Sequence, residues 1–249
     1  MTYSSDFFAQ RRKLALQSAE QILDILWPII PAQSVVDVGC ASGIWLAEAK
    51  RRGAVTIQGI DGPWVPLDQL EIDIQEFYAH DLGESIPAGF EKYDAAFCIE
   101  VAEHLSASVS DSLIEFLTDR ADVVLFSAAI PGQGGTGHIN EQCQSYWQHK
   151  FFKCGFACFD LIRPQVWGEE SVNIIYKQNM LVYAREGSKS FDQIKHSNTG
   201  IEALTLPYDL DRVHPDLFKR RMMKHERLKK RGMGKKIMKS LKAIAKAGR

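Results

Sequence analysis

Apolar and polar positions change their rhythm along the chain. Residues 3–27 carry Phe7, Leu14, Ala15, Ile22 and Leu26 at roughly helical spacing, and Pro28 ends the pattern. The N-terminal segment, 1–33, is therefore expected to form one or two amphipathic helices. From residue 34 short apolar runs take over: "SVVDVG" (34–39), "VTIQGID" (55–61), "IQEFYAHD" (74–81), "YDAAFCIE" (93–100), "DVVLFSAAI" (122–130), "ACFDLI" (157–162) and "NMLVYAR" (179–185). These read as strands, with a helical stretch from about Ile44 to Arg52 and helical or loop segments between most of the others. Strands alternating with helices predict an α/β fold, with right-handed crossovers, a mostly parallel sheet and helices on both faces. The polar stretch 186–200 is expected to end the compact domain, leaving a domain over 34–186 and an extension over 187–249.

Composition narrows the class. With 249 residues, 45% hydrophobic and 24% charged, the chain can bury one large core. Its longest apolar stretch near the N-terminus, "ILDILWPII", is interrupted by Asp24 and Pro28, so no membrane span is expected. The first residues also lack the basic-then-apolar order of a secretory signal, and a cytoplasmic protein is the expectation. Cys40, Cys98, Cys143, Cys154 and Cys158 are odd in number and include no CxxC pair. Reduced thiols are expected rather than a disulfide framework or a structural zinc site.

The chemistry concentrates at strand ends. "VVDVGCASG" (35–43) follows a strand and opens a helix, and Gly39 and Gly43 leave room for main-chain amides to approach a ligand. The spacing is DxGxxxG rather than GxGxxG, which weakens a pyrophosphate reading. Asp61 ends the second strand, where a carboxylate can accept two hydrogen bonds from vicinal ribose hydroxyls. Asp81 follows the third, placed to receive an exocyclic amine, with Leu82 offering an amide.

In this order, these features resemble the nucleoside-binding motifs of class I S-adenosylmethionine-dependent methyltransferases over about residues 34–185. The resemblance implies a Rossmann-like, seven-stranded, mostly parallel sheet whose antiparallel last strand is "NMLVYAR", with "ACFDLI" as its hairpin partner. It implies S-adenosylmethionine as cofactor, with Asp37, Gly39, Cys40, Ala41 and Gly43 at its amino acid part. Asp61 and Gly62 would hold the ribose, Asp81 and Leu82 would flank the adenine, and Cys98, Ile99 and Glu100 would line the methionine side. Ala41 departs from the family's usual second glycine.

Glu100, Glu103 and His104 in "IEVAEHL" have the i, i+3, i+4 spacing that gathers side chains on one face of a helical turn. The "ExxEH" pattern resembles ubiquinone-pathway O-methyltransferases and small-RNA 2′-O-methyltransferases, where the resemblance implies divalent-metal ligands. His138, in the glycine-rich "PGQGGTGHINEQ" (131–142), is a candidate fourth ligand or part of a substrate lid. The primary assignment omits a metal and makes His104, His138 and Glu103 the catalytic candidates, with an imidazole assisting proton removal. Asn140 is expected to cap the next helix, and Phe151 and Phe152 to pack it on the sheet.

An O-methyltransferase acting on a small-molecule or glycosyl hydroxyl is therefore expected. The alternatives are an N-methyltransferase, a metal-assisted RNA 2′-O-methyltransferase, and a catalytically silent cofactor-binding scaffold. Charge adds a further partner. Residues 219–249 hold 14 Lys/Arg against one acid, whereas 1–218 hold 16 against 30 Asp/Glu. Met233, Ile237, Leu241 and Ile244 recur every three or four residues among the lysines. Such a tail suits an anionic membrane surface or an acidic partner. Nucleic acid is disfavoured by the acidic body and by the lack of aromatics among the charges.

Overall fold

The computed structural model describes residues 5–197, 202–204 and 207–230. They form two units, one ending at Arg212 and the other starting at Val213. The first opens with a single helix, α1 (Ser5–Leu26), which stops ahead of Pro28 because proline disfavours helical backbone in the residue before it. Then follow β1 (Ser34–Val38), α2 (Ile44–Arg51), β2 (Thr56–Asp61), β3 (Phe77–Ala79), β4 (Ala95–Ile99), α3 (Ser110–Arg120), β5 (Val123–Ser127), α4 (Gln144–Lys153) and β6 (Phe156–Phe159). Two short helices, α5 (Arg163–Val166) and α6 (Ile174–Asn179), lead into β7 (Leu181–Arg185), and α7 (Lys189–His196) and α8 (Pro207–Leu210) complete the unit. The third strand is shorter than the expected 74–81, because Ile74–Glu76 form a 3₁₀ turn closed by a reciprocal Asp73–Glu76 capping box.

The sheet order is β3-β2-β1-β4-β5-β7-β6. The pairs β2–β3, β1–β2, β1–β4 and β4–β5 are parallel, and β7 runs antiparallel to both β5 and β6. This is the expected Rossmann-like, seven-stranded arrangement. Successive strand residues point to opposite faces, so the continuous apolar runs imply cover on both sides. Val35, Phe97, Leu125 and Val182 pack with Ile22 and Leu23 of α1 and Leu46 of α2. Their neighbours Val36, Cys98, Val124 and Tyr183 pack with Leu113 and Leu117 of α3 and Trp147 and Phe151 of α4.

Several local expectations change. Phe151 is fully buried, but Phe152 is exposed, since adjacent helical residues face about 100° apart. Asn140 does not cap α4. Its amide donates to the Glu103 carbonyl and its side chain to Ser110 Oγ, while Cys143 holds the cap position. The compact unit also continues past 186. Ile194 of α7 is buried, Leu204 N donates to the Cys158 carbonyl, and the Asp211 carboxylate accepts from Ser145 N and Oγ at 2.8 and 2.7 Å. Arg163, paired with buried Asp160, donates to the Leu210 carbonyl. The polar stretch thus supplies α7 to the compact unit, residues 202–204 and 207–212 are fastened to it, and the boundary expected at 186/187 falls at 212/213.

The second unit contains α9, over residues 215–230. Its start is closed by His214 Nδ1, which accepts from the Asp216 amide at 3.2 Å. Met233, Ile237, Leu241 and Ile244 lie outside the described residues. Among the described residues no helix is long and apolar enough to cross a membrane.

Candidate active site

The loops leaving β1, β2, β3 and β4 enclose a cavity of about 450 Å³, within the range of small-ligand sites. It lies at the carboxyl edge of the sheet, where ligands bind in open α/β folds. Its lining includes Gly39, Ala41, Asp61, Gly62, Asp81, Leu82, Ile99, Glu100 and His104, residues separated by up to 65 positions in the chain.

The glycine loop is held tightly. Gly39 has φ +86°, and a Cβ there would lie 2.2 Å from Val101, so neither the conformation nor the space admits a side chain. Ala41 also takes positive φ, at 49°, a strained setting for a residue with a Cβ. Its amide donates to Asp61 Oδ2 at 2.8 Å, while Gly62 N donates to Oδ1 at 2.6 Å. One carboxylate therefore ties the first loop to the second. A carboxylate has about four acceptor positions, so Asp61 retains capacity on the cavity side. Asp81 Oδ1 accepts from Gly83 N at 2.8 Å and shapes the third loop.

Other expected residues support the site without lining this cavity. Asp37, Cys40 and Gly43 lie at or beneath the glycine loop, and Cys98 is fully buried in the core on the α3 side. The Asp37 carboxyl is pushed up to about 7 by burial and secondarily by the charge of Asp61. Burial also raises the Cys40 and Cys98 thiols, which makes them poor nucleophiles.

After β4 the expected single-faced helical turn is not formed, because Glu100 takes positive φ, 56°, and only Ala102–His104 form a 3₁₀ turn. The two glutamates therefore do not share a helical face, although their carboxyl groups stay close enough to interact. Glu100 accepts from Asn179 Nδ2 at 2.9 Å and Gln133 Nε2 at 3.1 Å, and its amide donates to Ser127 Oγ. Burial raises its carboxyl, with the Asn179, Ser127 and Gln133 bonds opposing. Glu103 is fully buried and neither carboxyl oxygen makes a hydrogen bond. It is pushed up to about 9 by burial and then by Glu100, although the amides of Glu103 and Ala129 lie near enough to oppose the shift.

The glycine-rich loop returns to this point. Ile139 N and Asn140 N both donate to the Glu103 carbonyl, at 2.9 and 3.0 Å. That anchoring brings His138 against His104, ring centroids 4.8 Å apart and edge-on. His138 Nδ1 lies 3.0 Å from Glu141 Oε1. Placing the proton on that nitrogen leaves Nε2 as the basic one. Glu141 also accepts from Gly132 N and Gly134 N, so the same carboxylate organises the loop and orients the ring. His104 is shifted downward by burial and then by His138. Glu103, His104 and His138 offer ligand atoms all within 4.8 Å of one another.

The sequence reading missed Trp64, Gln133, Glu141 and Asn179. Trp64 lines the cavity while 65% exposed, and its indole occupies the space where a Gly62 Cβ would stand. An aromatic three residues beyond a strand-end acid was a usable signal. No local signal marks Gln133 or Asn179, which meet Glu100 only through the crossing of chains distant in sequence.

The comparisons agree with this architecture. Residues 7–127, just under half of the chain, match the family model described as Methyltransferase domain. The matched segment is a methyltransferase domain, whose cofactor is S-adenosylmethionine. No curated protein matches its sequence. Among similar solved structures is magnesium protoporphyrin IX methyltransferase from Synechocystis PCC 6803 with bound SAM, at TM-score 0.51 and 17% identity over 74% of this chain and 86% of that one. The methyltransferase domain of bacterial CtHen1-C gives TM-score 0.51 and 20% identity, covering 69% and 98%. Streptomyces venezuelae DesVI gives 0.52 and 13%, covering 72% and 95%. At these identities the likeness shows the fold.

Proposed function

We propose that this methyltransferase acts on a hydroxyl of a small-molecule or glycosyl acceptor, with His138 and His104 serving proton removal. The observation that carries the reading is the Glu141–His138–His104 arrangement, whose His104 lines the cavity together with Asp61 and Asp81. S-adenosylmethionine, when bound, supplies an electrophilic methyl on a sulfonium. An amine acceptor needs only a free lone pair, whereas a hydroxyl must lose its proton as the C–O bond forms and the C–S bond breaks. An imidazole oriented by a carboxylate is suited to take that proton, and a neutral His104 beside it avoids electrostatic competition. Asp61 and the glycine loop position the nucleoside, and Glu100, braced by Asn179 and Gln133, forms a rigid wall on the methionine side.

A second reading is favoured by one observation: the buried Glu103 carboxyl and two imidazoles offer donor atoms all within 4.8 Å of one another. A borderline divalent cation such as Mn, Fe, Co or Zn fits an N₂O donor set. Glu103, His104 and His138 would hold it, and its chemistry would be to acidify the acceptor hydroxyl. Glu100, already committed to Asn179 and Gln133, is not among the three.

The direct test supplies methyl-labelled cofactor and an extract of small molecules to the purified protein and identifies the labelled product. A methyl ether supports the proposal; label only on nitrogen, or only as a methyl ester, overturns it. Metal content measured before and after chelator treatment separates the two readings. Full activity in chelator removes the second, and its loss with recovery on adding metal to wild type but not to Glu103→Gln supports it.

A further inference from the structure

None of the residues placed at the candidate site belongs to the second unit, yet that unit holds the strongest charge concentration in the chain. Within α9, Lys219, Arg220, Lys224, Arg227, Lys229 and Lys230 are exposed, with Arg221 partly so, against the acids Asp216 and Glu226. Lys219 is 3.5 Å from Asp216, leaving most of the positive charge unpaired by acids within the helix. Residues 231–249 add seven more Lys/Arg and no acid. Apolar side chains are exposed among these charges: Phe218, Met222, Met223 and Leu228 are 59, 45, 53 and 56% accessible. Phe218 and Met222 are one helical turn apart and share a face.

We infer that α9 is a docking surface for an anionic membrane, lying in the interfacial plane with its lysines and arginines on acidic headgroups and Phe218 and Met222 at the acyl boundary. Charge complementarity is the first argument. Basic residues near an anionic leaflet each contribute attraction that falls off within a Debye length. The second argument chooses lipid over nucleic acid. Phe218 and Met222, exposed on one face, gain from entering a hydrocarbon boundary. A polyphosphate backbone rewards only the charges, and the helix offers a single aromatic, Phe218, for stacking on bases. Since no described helix can span a bilayer, such attachment is peripheral and reversible by salt.

The experiment uses the full chain in sedimentation with phosphatidylcholine vesicles, with and without phosphatidylglycerol. Expected is at least about tenfold greater partitioning onto the anionic vesicles, lost as ionic strength rises. Combining Arg220→Glu, Lys224→Glu and Arg227→Glu should abolish it, and Phe218→Ser with Met222→Ser should weaken it several-fold at unchanged charge. Calorimetric binding of S-adenosylhomocysteine, equal to wild type, verifies that each variant is folded. Equal partitioning onto both vesicle types, binding to neither, or unchanged binding by the charge-reversed variant overturns the inference. So does displacement from vesicles by single-stranded RNA combined with indifference to the Phe218 and Met222 changes, which would identify a nucleic acid surface.

Discussion

Asp61 and Glu103 are carboxylates at the same edge of the sheet, and the fold treats them oppositely. Asp61 lines the cavity with each oxygen already accepting a main-chain amide, one from its own loop and one from the glycine loop. Glu103 lies next to cavity-lining His104 with both oxygens buried and without a hydrogen bond. Leaving a buried polar group unpaired costs roughly 1–3 kcal/mol. The glycine-loop side of the cavity is thus braced before any ligand arrives, with Asp61 as the brace. The histidine side instead keeps a buried carboxyl beside two imidazoles and the carboxyl of Glu100, a condition tolerated only where the surrounding structure enforces it.

Substitutions can break that contrast. Replacing His104 and His138 together by Ala should lower kcat by about 10²–10⁴-fold and leave S-adenosylhomocysteine affinity within a factor of about two, since neither ring is hydrogen-bonded to the glycine loop or Asp61; parallel loss of affinity would place both rings in cofactor binding. Asp61→Ala should do the reverse, weakening the cofactor product by about 10- to 100-fold in calorimetry through lost hydrogen bonds and a loosened loop. Unchanged affinity would show that the ribose lies elsewhere.

Asp37 sharpens the comparison through pH. Its folded-state pKa, about 7, lies above the ordinary aspartate value of 3.8, so the native state binds this proton more tightly than the unfolded chain does. The stability it contributes is present below pH 4 and is lost as pH rises toward 7. Asp37→Asn, which cannot ionise, should flatten that part of the ligand-free stability profile and raise Tm at pH 7.5 by several degrees, read by thermal denaturation across the range. The smallest effect concerns Trp64. Covering an exposed indole should change its fluorescence on S-adenosylhomocysteine binding, and Trp64→Phe should remove that change while lowering affinity only about threefold.

The periodicity of the apolar runs was enough for the sheet class, because residues buried on both faces must be apolar wherever the strands lie. It also located Asp61 and Asp81 near strand ends, where the backbone turns out of the sheet. It did not separate Glu100 from Glu103. Their three-residue spacing suggests one helical face, but the positive φ at Glu100 breaks the helical turn and gives Glu100 its own partners, Asn179 and Gln133, while the two carboxyls remain in interaction. Nor could spacing reveal that residues 207–212 belong to the compact unit, since their fastening through Asp211 and Leu210 reaches residues 47 to 66 positions earlier.

The sequence by itself determined the α/β alternation, the glycine loop that side chains cannot enter, and the charge asymmetry between body and tail, all consequences of local composition and spacing. Only the tertiary structure decided which groups meet. His104 and His138, 34 positions apart, become neighbours because two amides beside His138 bond the Glu103 carbonyl. Glu103 loses its solvent because the sheet edge, the 3₁₀ turn and the returning loop close over it. Such meetings depend on long-range chain crossings, which a local pattern does not encode.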